Sequence, residues 1–354
     1  MDIVKNFQSK IDDVEEDTLR VNQRELIKKI LARDSGDYTV LRELIQNSDD
    51  AQATHVVITL NAAENTVTFE NDGAVFTEVD WNRVRTVASG NVNENATGCF
   101  GVGFYSVFSI SEYPSIVSGH HILQFRFKRN QLKTKLLQKE EYTRKTVFVF
   151  ERVDTLHFTK WNVREQKLVD FLIDTLKCTR NVASLLLTDG QDTVHVTALN
   201  TPLELSLPQL RPRSNQHVQC TYVGCHAVRK KITVTRSDDP QRVHEKQYVH
   251  VVAECTVTYG DAFVGRMQQI LLKKLPKTAK WGCMFHEHPE RGHVYIGYRT
   301  LQTTGLNADV HAPFIPTVER ENIDFSHPVI STWNDVVLAN CAAVLRAYYD
   351  ARLL

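Results

Sequence analysis

Between residues 41 and 70 the hydrophobic pattern changes period, and this constrains the fold more than any other stretch. In residues 41–51, Leu41, Leu44, Ile45 and Ser48 fall on one side at 100° per residue, as in a helix that buries one stripe. Residues 54–60 and 66–70 then alternate as strands, joined by the polar turn 61–65. A helix therefore runs straight into a strand hairpin.

The rest of the chain has weaker punctuation. Residues 1–36 read as a helix that stops at Ser35-Gly36-Asp37, and 38–53 as the next. A short helix is expected at 81–88, a polar loop at 89–97 and a helix start at 104–110. Strands are expected at 115–118, 121–127, 146–151 and 193–198, with an amphipathic helix at 165–179. After Pro202 strand-like segments dominate, at 217–223, 231–235, 248–259 and 293–298. Helices at 265–275 and 333–354 interrupt them. The shift predicts two domains, 1–205 and 206–354, for a chain of 354 residues. The chain ends inside an apparent helix, which reads as the N-terminal part of a longer protein.

Lys+Arg and Asp+Glu both number 42, a balance that suggests neither a broad nucleic-acid surface nor a membrane partner. The N-terminus lacks a signal-peptide core, and the 7 scattered cysteines suit a reducing compartment. An intracellular setting is expected, cytoplasmic rather than nuclear.

Three motifs carry chemistry. On the helix at 41–51, Glu43, Asn47 and Asp50 lie within about 60° of one another, opposite the apolar stripe. A solvated face explains them, but so does a site. Asn47 offers a neutral oxygen to magnesium beside a triphosphate, and Glu43 can polarise a water. Next, Asn71-Asp72-Gly73 ends a strand. It is either a common Asp-Gly turn or a carboxylate placed for an adenine amino group, with Gly73 admitting the base. Third, Gly98, Gly101, Val102, Gly103 and Phe104 belong to a glycine-rich stretch that opens a helix, which frees backbone N–H groups for an anion. The stretch lacks the Gly-Lys-Ser/Thr ending of a phosphate loop.

In this order and spacing the motifs resemble the ATPases of the gyrase B, heat-shock protein 90, histidine kinase and MutL superfamily. The nearest resemblance is to sacsin-type and fungal heat-shock-protein-90-like proteins, and it is strong over about residues 20–150. The resemblance implies an α+β fold: a two-layer α/β sandwich of the Bergerat ATP-binding type, then a mixed α/β transducer-like domain. It implies Glu43 as general base and Asn47 as magnesium ligand. Asp50, Asp72, Gly73, Gly98, Gly101, Val102, Gly103, Phe104 and Thr146 are implied as ATP contacts. Residues 314–324 resemble the catalytic loop of the heat-shock protein 90 middle domain, which implies a catalytic Arg320. The cofactors implied are ATP and Mg2+, and the reaction is hydrolysis to ADP and phosphate coupled to lid closure, with a chaperone-like output. Protein clients and a nucleotide-dependent dimer are the partners such a module allows. One departure stands out: many relatives carry a lid lysine, whereas 89–97 holds no lysine or arginine. That favours the alternative, an ATP-sensing scaffold with little or no hydrolysis.

Overall fold

The computed structural model describes residues 22–31, 36–86, 103–151, 160–207, 210–271, 276–286, 290–317 and 321–353. Helices α1 (Gln23–Leu31) and α2 (Thr39–Asp50) lead into the hairpin β1 (His55–Asn61) and β2 (Thr66–Asn71). Helix α3 (Glu78–Val84), a 3-10 turn (Gly103–Ser109) and the long hairpin β3 (Tyr113–Lys128) and β4 (Gln131–Glu151) follow. Then come α4 (Gln166–Cys178), β5 (Ser184–Thr188), β6 (Thr193–Leu203), β7 (Val218–Arg236) and β8 (His244–Tyr259). The chain continues through α5 (Asp261–Leu271), β9 (Thr278–His286), β10 (His293–Tyr295), β11 (Arg299–Thr303), β12 (Ala308–His311) and α6 (Pro328–Leu353).

Local sequence accounts for the early elements. Along α2 the stripe Leu41, Leu44, Ile45 and Ser48 is buried, as its spacing requires. In β2 every second residue is buried, the period of a half-covered strand. Thr77 and Asp80 close a capping box at the start of α3.

The expected two-layer sandwich with a separate second domain is not what forms. The twelve strands among the described residues belong to one mixed sheet, ordered β11-β10-β12-β9-β8-β7-β6-β5-β1-β2-β4-β3. The join is β6 with β7, antiparallel from Val194 opposite Arg236 to Leu203 opposite Ala227. The expected boundary at 205/206 falls in the connection between these two hydrogen-bonded strands. Pro202, which reads as punctuation, is inside β6. Beyond Thr197 β5 no longer pairs with β6, so a residue without an N–H is tolerated at that half-open position.

The helices change face midway along this sheet. One core gathers α2, α4 and strands β1 to β6, and reaches Ile232, Val234, Tyr248 and Met284 further on. The other gathers α5 and α6 on the odd-numbered side chains of β8 and β9, such as Val251, Cys255, Trp281 and Cys283. Tyr248 and Met284 are even-numbered neighbours on those strands, so the two cores lie on opposite faces there. Helix α6 is long and apolar enough by composition to cross a membrane. Here its Trp333, Val337, Cys341 and Val344 are buried in the second core.

Candidate functional site

Helix α2 brings two of the three motifs together along its length. At its start the Glu43 carboxylate is buried, with Arg42 Nη2 at 3.6 Å from Oε1. Gly103 lies against it, and a methyl group built on Gly103 would overlap that carboxylate. Only glycine lets the turn approach so closely. At the other end Gly73 packs on Ala51; a Cβ there would come within 2.8 Å of the Ala51 carbonyl oxygen. Ala74 donates its N–H to the same oxygen at 2.9 Å. Asn47 is exposed between these two contacts, and Asp50 is half-buried. From Glu43 to Ala51 the helix rises roughly 12 Å.

The Asp72 carboxylate is used differently from the sequence expectation. Oδ1 accepts the N–H groups of Thr54 (2.7 Å) and His55 (2.8 Å). Oδ2 accepts Thr54 Oγ1 at 2.7 Å and lies 3.0 Å from His55 Nδ1. These four contacts match the acceptor capacity of a carboxylate. Partial burial pushes the carboxyl up, but the bonds from His55 and Thr54 outweigh it and hold the group well below the usual carboxylate range. Asp72 thus ties the entry of β1 to the end of β2. Behind it Thr146 is buried, and its hydroxyl bonds that of Ser118 at 2.8 Å. Ser118 Oγ also accepts the Phe76 N–H at 3.0 Å. Phe104 is packed among Tyr105, Phe125 and Phe148. Gly98, Gly101, Val102, Arg320 and the loop 89–97 lie outside the described residues.

Two features were not legible beforehand. Gln46, one step round α2 from Glu43, has both amide polar atoms buried without a hydrogen-bond partner among the described residues. An orphaned buried amide suits a group that meets a ligand. It also lines a cleft of about 730 Å³, whose near wall includes Arg42 and Asp50 and whose far wall includes Pro313, Phe314 and Ile315. Those far-wall residues are the stem of the segment that contains Arg320. The stem is held by Asn334 of α6, which takes the Ile315 N–H at 2.8 Å and donates to the carbonyls of Ile315 and Asp324 at 2.9 and 2.8 Å. Arg42 spans the gap, its guanidinium 3.9 Å from the centre of the Tyr298 ring. Non-local pairing creates both features, so no spacing rule finds them.

Residues 21–171 match the family model described as the Sacsin domain, and residues 274–354 match a Protein of unknown function family, DUF3684. Over 114 residues the chain is 32% identical to human Sacsin, a match covering 27% of this chain and 2% of that protein. The part of the chain that builds α2, the first hairpin and the glycine-rich turn is therefore sacsin-like, and the chain spans only a small fraction of the curated relative.

Proposed function

We propose that the chain is a magnesium-ATP-binding module of the gyrase B, heat-shock protein 90, histidine kinase and MutL type, and that it hydrolyses ATP to ADP and phosphate. The observation that carries this reading is the seating of Gly103 on Glu43 and of Gly73 on Ala51, with Asn47 exposed between them. The two glycines bring the turn and the end of β2 into direct contact with α2 at points roughly 12 Å apart along it, a span suited to a nucleotide. Asn47 would hold magnesium through its neutral amide oxygen. Magnesium, when bound, would neutralise charge on the phosphates. Glu43, buried beside Arg42, would accept a proton from the attacking water. An adenine amino group would reach Asp72 by displacing the exposed His55 ring from Oδ2, since backbone N–H groups hold Oδ1. The resemblance of residues 314–324 to a catalytic loop supports a role for Arg320; the cleft that includes Pro313, Phe314 and Ile315 shares Asp50 with the proposed nucleotide site.

The test is a titration with a non-hydrolysable ATP analogue, with and without magnesium, paired with a phosphate-release assay. Glu43→Ala should bind the analogue and lose turnover, because a general base acts in the chemical step. Asn47→Ala should weaken binding in magnesium and much less in EDTA. Identical behaviour of the two variants in both assays would sink this division of roles. The lysine-free stretch 89–97 favours a second reading, an ATP-sensing scaffold. Phosphate release that is negligible and unchanged in Glu43→Ala, with binding intact, would select it.

A further inference from the structure

The hairpin of β3 and β4 runs on beyond β2, which pairs with β4 only between Thr146 and Glu151. The extension is a two-stranded ribbon in which opposed residues share a face. One face bears Leu123 and Phe125 and is closed by Phe104 and Phe108 of the 3-10 turn. The other face presents Arg126, Lys128, Lys133 and Lys135, all exposed. Across residues 113–139 the sequence holds six Lys or Arg and no Asp or Glu, although the whole chain carries 42 of each charge.

This excess runs against the stability of the ribbon. Arg126 stands directly opposite Lys133, and like charges in that position repel. Arg129 opens the turn at φ 58°, a conformation that favours glycine, so a cation is kept at the tip in spite of strain. Among the described residues none of Arg126, Lys128, Lys133 and Lys135 has a carboxylate partner. Lysines that merely guard a free strand edge would work as well alternating with glutamates. The ribbon is also held in place: Asn130 O accepts the N–H groups of Gln23 and Arg24 at 3.0 and 3.3 Å, and Gln23 Oε1 takes the Leu132 N–H at 2.8 Å.

We propose that this face binds the phosphate backbone of double-stranded nucleic acid. The cations form two rows, about 5 Å apart across the ribbon and about 7 Å apart along each strand. A two-stranded ribbon is of a size that a B-form major groove admits. No aromatic ring stands among the four cations, so they offer no stacking platform for single strands; the exposed Tyr142, in ring contact with His120, lies further along the ribbon towards the sheet. Contacts of this kind position a duplex without reading its sequence. The cationic face shares no residue with the proposed nucleotide site.

The test uses the whole chain and a labelled duplex of about 30 base pairs, followed by anisotropy across a salt series. Parallel arms use phosphatidylserine vesicles and a polyglutamate peptide. Binding should fall with salt at a log–log slope of about −3 to −4, as expected for about four phosphate contacts. Lys133→Gln/Lys135→Gln should keep its melting temperature, lose at least about tenfold in affinity at low salt, and lose about two units of slope. Four results would overturn the proposal: no duplex binding at low salt, a variant that binds as well as the parent, tighter binding of a single strand, or binding confined to vesicles or peptide.

Discussion

The seating of Gly103 on the buried Glu43 carboxylate is a packing constraint before it is a catalytic one. Gly103→Ala should destabilise the chain by about 1–3 kcal/mol, the usual cost of forcing extra volume into a filled space. If the contact is the cause, Glu43→Ala should recover much of that loss, and urea melts of the four-member cycle would show a coupling above about 1 kcal/mol. Strict additivity would locate the strain elsewhere. Asp72 makes a second prediction with a defined sign. Its folded carboxyl titrates below the unfolded one, so its contribution is complete above pH ~4 and is lost as pH falls further. Asp72→Asn should cost about 1–2 kcal/mol at pH 7, discounted for partial exposure, and the gap to the parent should close in acid. A gap that stays constant down to pH ~2 would contradict the hydrogen-bonded role. At this scale the sequence was informative where a residue type had a local reason, such as glycine for close approach. It was silent on Gln46 and on the donors around Asp72, because those neighbours come from elsewhere in the chain.

Among elements, α4 and β12 are joined by a buried ion cluster. Lys177 Nζ lies 3.0 Å from Asp174 Oδ1 and 3.4 Å from Asp309 Oδ2, and Asp309 also receives the His293 N–H at 2.8 Å. Burial pushes the Lys177 ammonium down, but Asp174 and Asp309 more than offset it and hold the group above the usual lysine range. Burial pushes the Asp309 carboxyl up, yet its contact with His286 and the charge of Lys177 bring it below the ordinary value. The cluster's contribution should therefore be constant between pH ~4 and ~10, lost in acid as Asp309 protonates and lost in strong base as Lys177 deprotonates. Lys177→Met should cost about 3–5 kcal/mol by removing the lysine cation that faces the buried Asp309. Adding Asp309→Leu should return part of it, and a double variant less stable than the single would refute the account. Elements were legible where one face is buried, as in α2, β2 and α4. The distal part of β4 was missed because it is exposed and polar, without alternation. Strand β9 was missed for the opposite reason: its run from Trp281 to His286 is buried throughout, so no period shows.

At the scale of the molecule, the continuous sheet changes what a truncation would do. A fragment ending at residue 205 leaves the β6 edge bare from Val194 to Leu203 and strips Ile232, Val234, Tyr248 and Met284 from the first core. Such a fragment should aggregate or melt far below the whole chain, as an exposed strand edge does. A soluble fragment with a parent-like melting temperature would show that the first core closes without those four residues. The pairing of β6 with β7 joins what composition separates into two regions, and strand pairing across a change in composition leaves no periodic signature. The sequence therefore showed local elements such as α2 and the first hairpin better than the architecture that joins them.

The cover that α6 lays over β8 and β9 also has a consequence in time. A nascent chain is made at about 5–20 residues per second, so the roughly 70 residues between β9 and the close of α6 take several seconds to emerge. During that interval Trp281, Cys283 and Phe285 have no lid, because Trp333, Val337, Cys341 and Val344 are still unmade. The chain should thus be prone to cohere with its neighbours on a polysome until α6 appears, and a ribosome stalled near residue 325 would capture that sticky species.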